Sequence, residues 1–218
     1  MANTLTINID KTGRSFLLDN NQTIVLVIPG DSSDIFFTAC ASFSPFGDSN
    51  QVIFEEEWIL YATQGTINNW DEITMNITQS VTKGKYYKFD NVGFNGSSPA
   101  YSDQVYGLLN NRDINNQNLV CGLGQLITVS NTPQQCPISI RSVPFNQIAY
   151  FSTNSLVWVF IASGISPASI IPASALLSNN ASFAKAPLTI GRYLEVDLSI
   201  NSTIVFNNKT NAFEVDNS

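Results

Sequence analysis

The sequence predicts an all-β protein built as two β-sandwich domains in tandem, and three observations carry that expectation. Its apolar residues fall in runs of about four to eight, the length of strands rather than helices. Gly, Pro, Asn and Asp bound those runs and recur roughly every 8–12 residues, the rhythm of sandwiches. No stretch shows the 3.6-residue apolar period of an amphipathic helix of ordinary length.

Taken in order, Leu5-Thr6-Ile7-Asn8-Ile9 alternates apolar and polar residues, the pattern of a half-buried strand. Lys11-Thr12-Gly13 then reads as a turn, with Ser15 to Leu18 starting the next strand. Asp19-Asn20-Asn21 is turn chemistry, because short polar side chains bond their own backbone and tolerate left-handed dihedrals. Ile24 to Ile28 is a β-branched run with the look of a strand buried on both faces, ended by Pro29-Gly30. Phe36 to Phe43 continues as strand, as do Trp58 to Ala62, Ile73 to Thr78 and Tyr86 to Phe89. The stretch from Asn91 to Gln104 turns small and polar, as linkers do. It places a first domain at 1–95, a linker at 96–105 and a second domain at 106–218. In the second half, Leu156 to Ala162 (LVWVFIA) is the strongest buried strand, and Pro167 with Pro172 excludes a long helix between Ser166 and Leu177.

Composition narrows the function. The chain is 44% hydrophobic and 12% charged, which argues against disorder. A net charge of −7 disfavours nucleic acid and anionic membranes, whose binding needs clustered Lys and Arg, and permits a cation. With no histidine, Ser-His and Cys-His catalysis is excluded and a conventional zinc site is disfavoured. No nucleophile has a visible base, so a non-enzymatic protein is expected. The N-terminal residues lack the basic and apolar regions of a secretory signal. No apolar run reaches the ~18 residues that span a bilayer. Of the three cysteines, Cys121 and Cys136 would close a loop of about 15 residues and stabilise it by ~3 kcal/mol. The alternative is three buried thiols acting as small apolar residues.

Three clusters could carry binding chemistry. Gly30-Asp31-Ser32-Ser33-Asp34 joins two carboxylates and two hydroxyls in one tight loop, the hard oxygen ligands calcium takes. Glu55-Glu56-Glu57 beside Trp58 is the densest negative run, and reads first as charge guarding an edge strand. Asn68-Asn69-Trp70-Asp71 sets an aromatic face beside amides and a carboxylate, groups that stack on sugar rings and bond their hydroxyls.

The stretch Thr12 to Cys40 resembles the calcium-dependent cell-adhesion molecules of social amoebae. The match rests on Thr12-Gly13, Ser15-Phe16, Gln22-Thr23, Gly30-Asp31, Asp34, Phe37 and Cys40. A second patch, Gln64-Gly65-Thr66 with Asn68-Asn69, is similar too. The resemblance covers roughly the first 70 residues. It implies a βγ-crystallin-like first domain and an immunoglobulin-like second one. It also implies calcium held by Asp31 and Asp34, homophilic self-association between cells, and a cell-surface location reached without a signal peptide; the missing signal alone fits a cytoplasmic protein equally. A carbohydrate-binding lectin or lectin-like toxin module using Asn68, Asn69, Trp70 and Asp71 is the alternative expectation, and a structural coat or fibre subunit a further one.

Overall fold

The computed structural model describes residues 2–30, 35–63, 65–113, 117–177, 183–185 and 188–216. Its elements in chain order are β1 (Asn3–Asn8), α1 (Lys11–Asp19), β2 (Thr23–Val27), β3 (Phe36–Thr38), β4 (Ala41–Phe43), β5 (Ser49–Thr63), β6 (Ile77–Val81) and β7 (Lys85–Phe89). Then come β8 (Phe94–Pro99), β9 (Tyr106–Asn110), β10 (Leu119–Val129), β11 (Thr132–Pro137), β12 (Arg141–Val143), β13 (Ile148–Phe151) and β14 (Leu156–Ser163). The chain closes with β15 (Ile170–Pro172), α2 (Ala173–Leu177), β16 (Phe183–Lys185), β17 (Leu188–Ile190), β18 (Leu194–Asp197), β19 (Ser202–Asn207) and β20 (Ala212–Val215). It is a mostly β protein with several sheets.

The backbone of the fold is the antiparallel pair of two long strands, β5 and β10. One edge of β5 takes β1 along Ser49 to Phe54 and then β6 along Trp58 to Ala62. Beyond β1 lie β19, paired parallel to it, and β20. The outer edge of β10 takes β11 and β12. A second sheet runs β16-β17-β14-β2-β4, with β18 also on β14, and a third runs β13-β9-β7-β8.

Strand pattern explains the cores. In β2 and its exit, Ile24, Leu26 and Ile28 face one cluster while Val25 and Val27 face another. Likewise β14 turns Val157, Val159 and Ile161 to the first cluster and Trp158, Phe160 and Ala162 to the second. Side chains alternate across a strand, so a central strand covered on both sides must be apolar at every position. The first cluster lies against Leu5, Ile7 and Val52 of the large sheet. A third core packs Leu60, Leu119 and Leu123 against Phe89, Leu108 and Phe151 of the third sheet.

The helix α1 departs from the expected turn and strand. Asp10 caps it, accepting from the Gly13 N–H at 2.7 Å. Leu17, four residues after Gly13, is fully buried, and Phe16 packs on the same core. At the far end Asn21 adopts φ 51°, with its N–H donating to Leu18 O at 3.1 Å and the Gln22 N–H to Leu17 O at 2.8 Å. Those two bonds form a Schellman stop, which the left-handed tolerance of Asn permits. Gly13 is the reason the turn reading fails: a Cβ there would meet Asn208 Oδ1 at 2.6 Å and Phe206 Cδ1 at 2.8 Å, so the residue is small for helix packing rather than for a turn.

The stretch expected to link two tandem sandwiches does not divide the sheets. β8 occupies 94–99, and strands from before and after 96–105 pair in each of the three larger sheets, as in β1 with β19, β2 with β14 and β7 with β9. Backbone groups of a strand must find partners, and here they find them across the chain rather than within each half. The alternation from Ile73 to Thr78 also resolves differently, since only Ile77 onward enters a strand.

Glu55-Glu56-Glu57 lie not in an outer strand but in the gap between β1 and β6 along one side of β5. They form a bulge in the central strand β5, three residues opposite Leu126 alone, between the pairs Phe54–Ile127 and Trp58–Gln125.

The cysteines pair as neither expectation had it. Cys40 and Cys136 form a disulfide with their Cα atoms 4.7 Å apart, tying the entry of β4 to β11 and so the second sheet to the first. Cys121 remains a buried free thiol. It points into the third core while Cys136 belongs to the first, which is why the nearer pair in sequence is not the pair in space.

Candidate functional site

A broad concavity lies beside the loop from Gly65 to Asp71. A groove of about 780 Å³ is floored by Phe36, Ile67, Val120 and Ile140 and rimmed by Thr66, Asn118, Arg141 and Ser142. A smaller recess of about 270 Å³ continues from it, sharing Gly65, Thr66, Val120 and Ile140 and adding Asn68, Asp71 and Glu72.

The floor comes from the outer face of β10 and the segment that follows β11. Beneath it, the buried Tyr61 donates its hydroxyl to Ser139 O at 2.6 Å. Burial, reinforced by the neighbouring Cys121, holds that phenol protonated far above neutral pH. Burial likewise pushes the Cys121 thiol up to about 12. Neither group is poised to ionise, and thiolate chemistry needs a thiol shifted the other way.

The loop itself is held by backbone bonds. Trp70 N–H donates to Ile170 O at 2.7 Å, and Ile170 N–H donates to Asp71 O at 2.8 Å. Ile73 N–H reaches Ala168 O at 2.9 Å. Within this frame Asn68 Nδ2 donates to Asp71 Oδ2 at 2.8 Å and to Thr66 Oγ1 at 3.1 Å. Fixing that amide leaves its carbonyl oxygen and the second carboxylate oxygen as acceptors at the recess. The opposite end of the groove is cationic. Arg141 stands 5.4 Å over the Phe151 ring and donates Nη1 to Tyr150 O at 2.9 Å.

The four residues expected to bind a sugar are therefore split. Asn68 and Asp71 line the recess together. Asn69 is exposed outside the lining, and the Trp70 ring packs inward against the core around Val25, Phe37 and Trp158. Trp70 takes φ 73°, which reverses the chain and carries the ring to the core side. Asp31 and Asp34, the expected calcium ligands, lie outside the described residues; among those that are described, no group of three or more acidic or cysteine side chains is arranged to hold a metal ion. Tyr106 is core, whereas Tyr101 is exposed and sits edge-on to Tyr150 at 4.6 Å.

The rest of the groove escaped sequence reading. Val120 and Ile140 carry the apolar signal of any strand, and Thr66, Asn118 and Ser142 that of any loop. The one available signal was the residue before Gly122, a Cys-Gly in an otherwise apolar strand. A Cβ on Gly122 would meet Ser139 O at 1.8 Å and Tyr61 Oη at 2.5 Å, so this strand is pressed against a neighbouring backbone under the groove.

The class defined so far is a disulfide-tied, multi-sheet β protein with a grooved face. No helix among the described residues is long and apolar enough to cross a membrane. Comparison with known proteins finds no family model, no curated protein and no solved structure that matches the chain.

Proposed function

We propose that the chain is a non-enzymatic binding protein that takes a neutral, hydroxyl-rich ligand of the carbohydrate class in the groove beside Gly65 to Asp71. The single observation behind this reading is the joining of an apolar floor to a prearranged Asn68–Asp71–Thr66 acceptor set in one continuous concavity. Ligand pockets of about 300–1,000 Å³ combine an apolar lining with a few fixed polar groups in this way. The Cys40–Cys136 disulfide supports a cell-surface or extracellular setting, because such bonds persist in oxidising compartments. A glycan array, followed by calorimetry on any hit, tests the proposal. Binding that Asn68→Ala weakens about tenfold or more supports it; an array without signal, or a hit indifferent to Asn68→Ala, sinks it.

Calcium-dependent adhesion is the second reading. Ile35, 70% exposed, lines the groove and directly follows Asp34 in the chain, so an ion on Asp31 and Asp34 would act next to the same surface. Calorimetric titration of calcium into the protein and into Asp31→Ala/Asp34→Ala decides it. Heat from the first and none from the second is the expected result.

A further inference from the structure

Strand β8 carries the one Asn-Gly pair of the sequence, Asn95-Gly96. Tyr87 pairs with Ser97 and Phe89 with Phe94, so Asn95 and Gly96 together oppose Lys88 alone. This is a β-bulge, with Gly96 in the left-handed region at φ 72°. β8 also closes the third sheet on one side, with β7 as its neighbour. Asn95, Gly96 and Ser97 are all exposed. Beyond the adjoining residues, no described atom lies within 4 Å of where a Gly96 Cβ would stand. Main chain and side chain therefore lie open to water at this point.

An asparagine followed by glycine is open to cyclisation, because glycine sets no side chain beside its own nitrogen. The Gly96 nitrogen attacks Asn95 Cγ and forms an N–Cγ bond. The Cγ–Nδ2 bond breaks, and Nδ2 leaves as ammonia with the Gly96 proton. Water then opens the cyclic imide at either of its carbonyls. One opening leaves aspartate; the other leaves isoaspartate, whose main chain runs through the side-chain carbon. No oxidant or reductant takes part. We propose that Asn95 is a self-modification site, converted to aspartate and isoaspartate in the folded protein.

The product reaches beyond residue 95. Asn95 Nδ2 donates to Asp90 Oδ2 at 3.0 Å. Asp90 Oδ1 accepts from the Val92 and Gly93 N–H groups at 2.8 and 3.1 Å, which shapes the turn between β7 and β8. An ionised carboxylate at 95 donates nothing and stands against a like charge on Asp90. It also adds one negative charge to a chain that already carries −7. Next to the bulge, Phe94 packs edge-on to Phe89 at 5.1 Å, so the change borders the third core.

Ageing the full chain at mildly alkaline pH, once in native buffer and once in urea, tests the site. Peptide mapping by mass spectrometry, an isoaspartate assay and anion exchange follow the course. Asn95 is expected to convert ahead of every other asparagine. Its native rate should lie within about tenfold of the rate in urea, a barrier little changed by the fold. The early acidic species should elute with Asn95→Asp, and Asn95→Gln, whose longer side chain disfavours the ring, should lack it. An Asn95 still intact in the native chain when the chain in urea has largely converted overturns the assignment. So does an early acidic species that persists in Asn95→Gln.

Discussion

Removing the Cys40–Cys136 bridge should strongly destabilise the fold. The two cysteines are 96 residues apart in sequence, so the bond closes a long loop in the unfolded chain. On the chain-entropy relation a loop of that length is worth about 4.7 kcal/mol at room temperature. Both residues are essentially buried, and alanine in their place removes little apolar volume, so the loop term dominates. For a chain of this size ~1 kcal/mol moves the melting temperature by about 2–4 °C, which predicts a fall of roughly 10–20 °C for Cys40→Ala/Cys136→Ala. Denaturant unfolding with and without reductant measures the same quantity, and the reduced wild type should fall near the double variant. Thiol titration of the unfolded, unreduced protein should find one reactive thiol, from Cys121, and three after reduction. Three thiols before reduction, or a double variant within about 1 kcal/mol of wild type, would refute the reasoning. Cys121→Ala keeps the bridge and should lose far less.

Two further outcomes are expected. Asp10, Asp90 and Asp197 all have pKa values lowered first by backbone N–H groups, of Gly13, Val92 and Ser199 respectively. Depressed folded-state values stabilise the native form above the ordinary carboxyl value of 3.8, and that contribution disappears as pH falls through the lowered values. The unfolding midpoint should therefore drop on acidification in that range, and combined Asp→Asn replacement at the three sites should flatten the drop; an unaltered slope counts against it. Gly122→Ala forces a methyl to within 1.8 Å of Ser139 O, a backbone atom that cannot rotate away. It should cost about 3 kcal/mol or prevent folding, read as a lowered denaturant midpoint or loss of soluble protein; a wild-type midpoint would show that β10 can shift.

The parts of the fold that were legible are those whose burial writes itself into consecutive residues. Ile24 to Ile28 and Leu156 to Ala162 are apolar without interruption because β2 and β14 are covered on both faces, and Leu5, Ile7 and Ile9 alternate because β1 is covered on one. What was not legible depends on partners distant in sequence. The pairing of β1 with β19 leaves no local trace, so a polar stretch passed for a domain boundary. The short helix α1 was hidden because Gly13, which Phe206 and Asn208 require to be small, looks like a turn residue when they are out of sight. At the groove, composition picked out Asn68 and Asp71 but could not tell that the φ of Trp70 sends its ring to the core. Glu55 to Glu57 stood out as charge, yet their position in a strand flanked on both sides is visible only once β1, β6 and β10 are placed.

The parallel contact between β1 and β19 also governs when this protein can fold. Leu5 meets Ser202 and Ile7 meets Ile204 in the middle of the largest sheet. A nascent chain therefore emerges with β1 unable to complete its ladder until nearly two hundred further residues have been synthesised. Loop closure of that span comes before any reward from the contact, which makes folding slow and leaves an open strand edge in the waiting chain. The order of assembly is thus set from the end: β19 is the last large piece to arrive, and the first strand made is among the last to be satisfied.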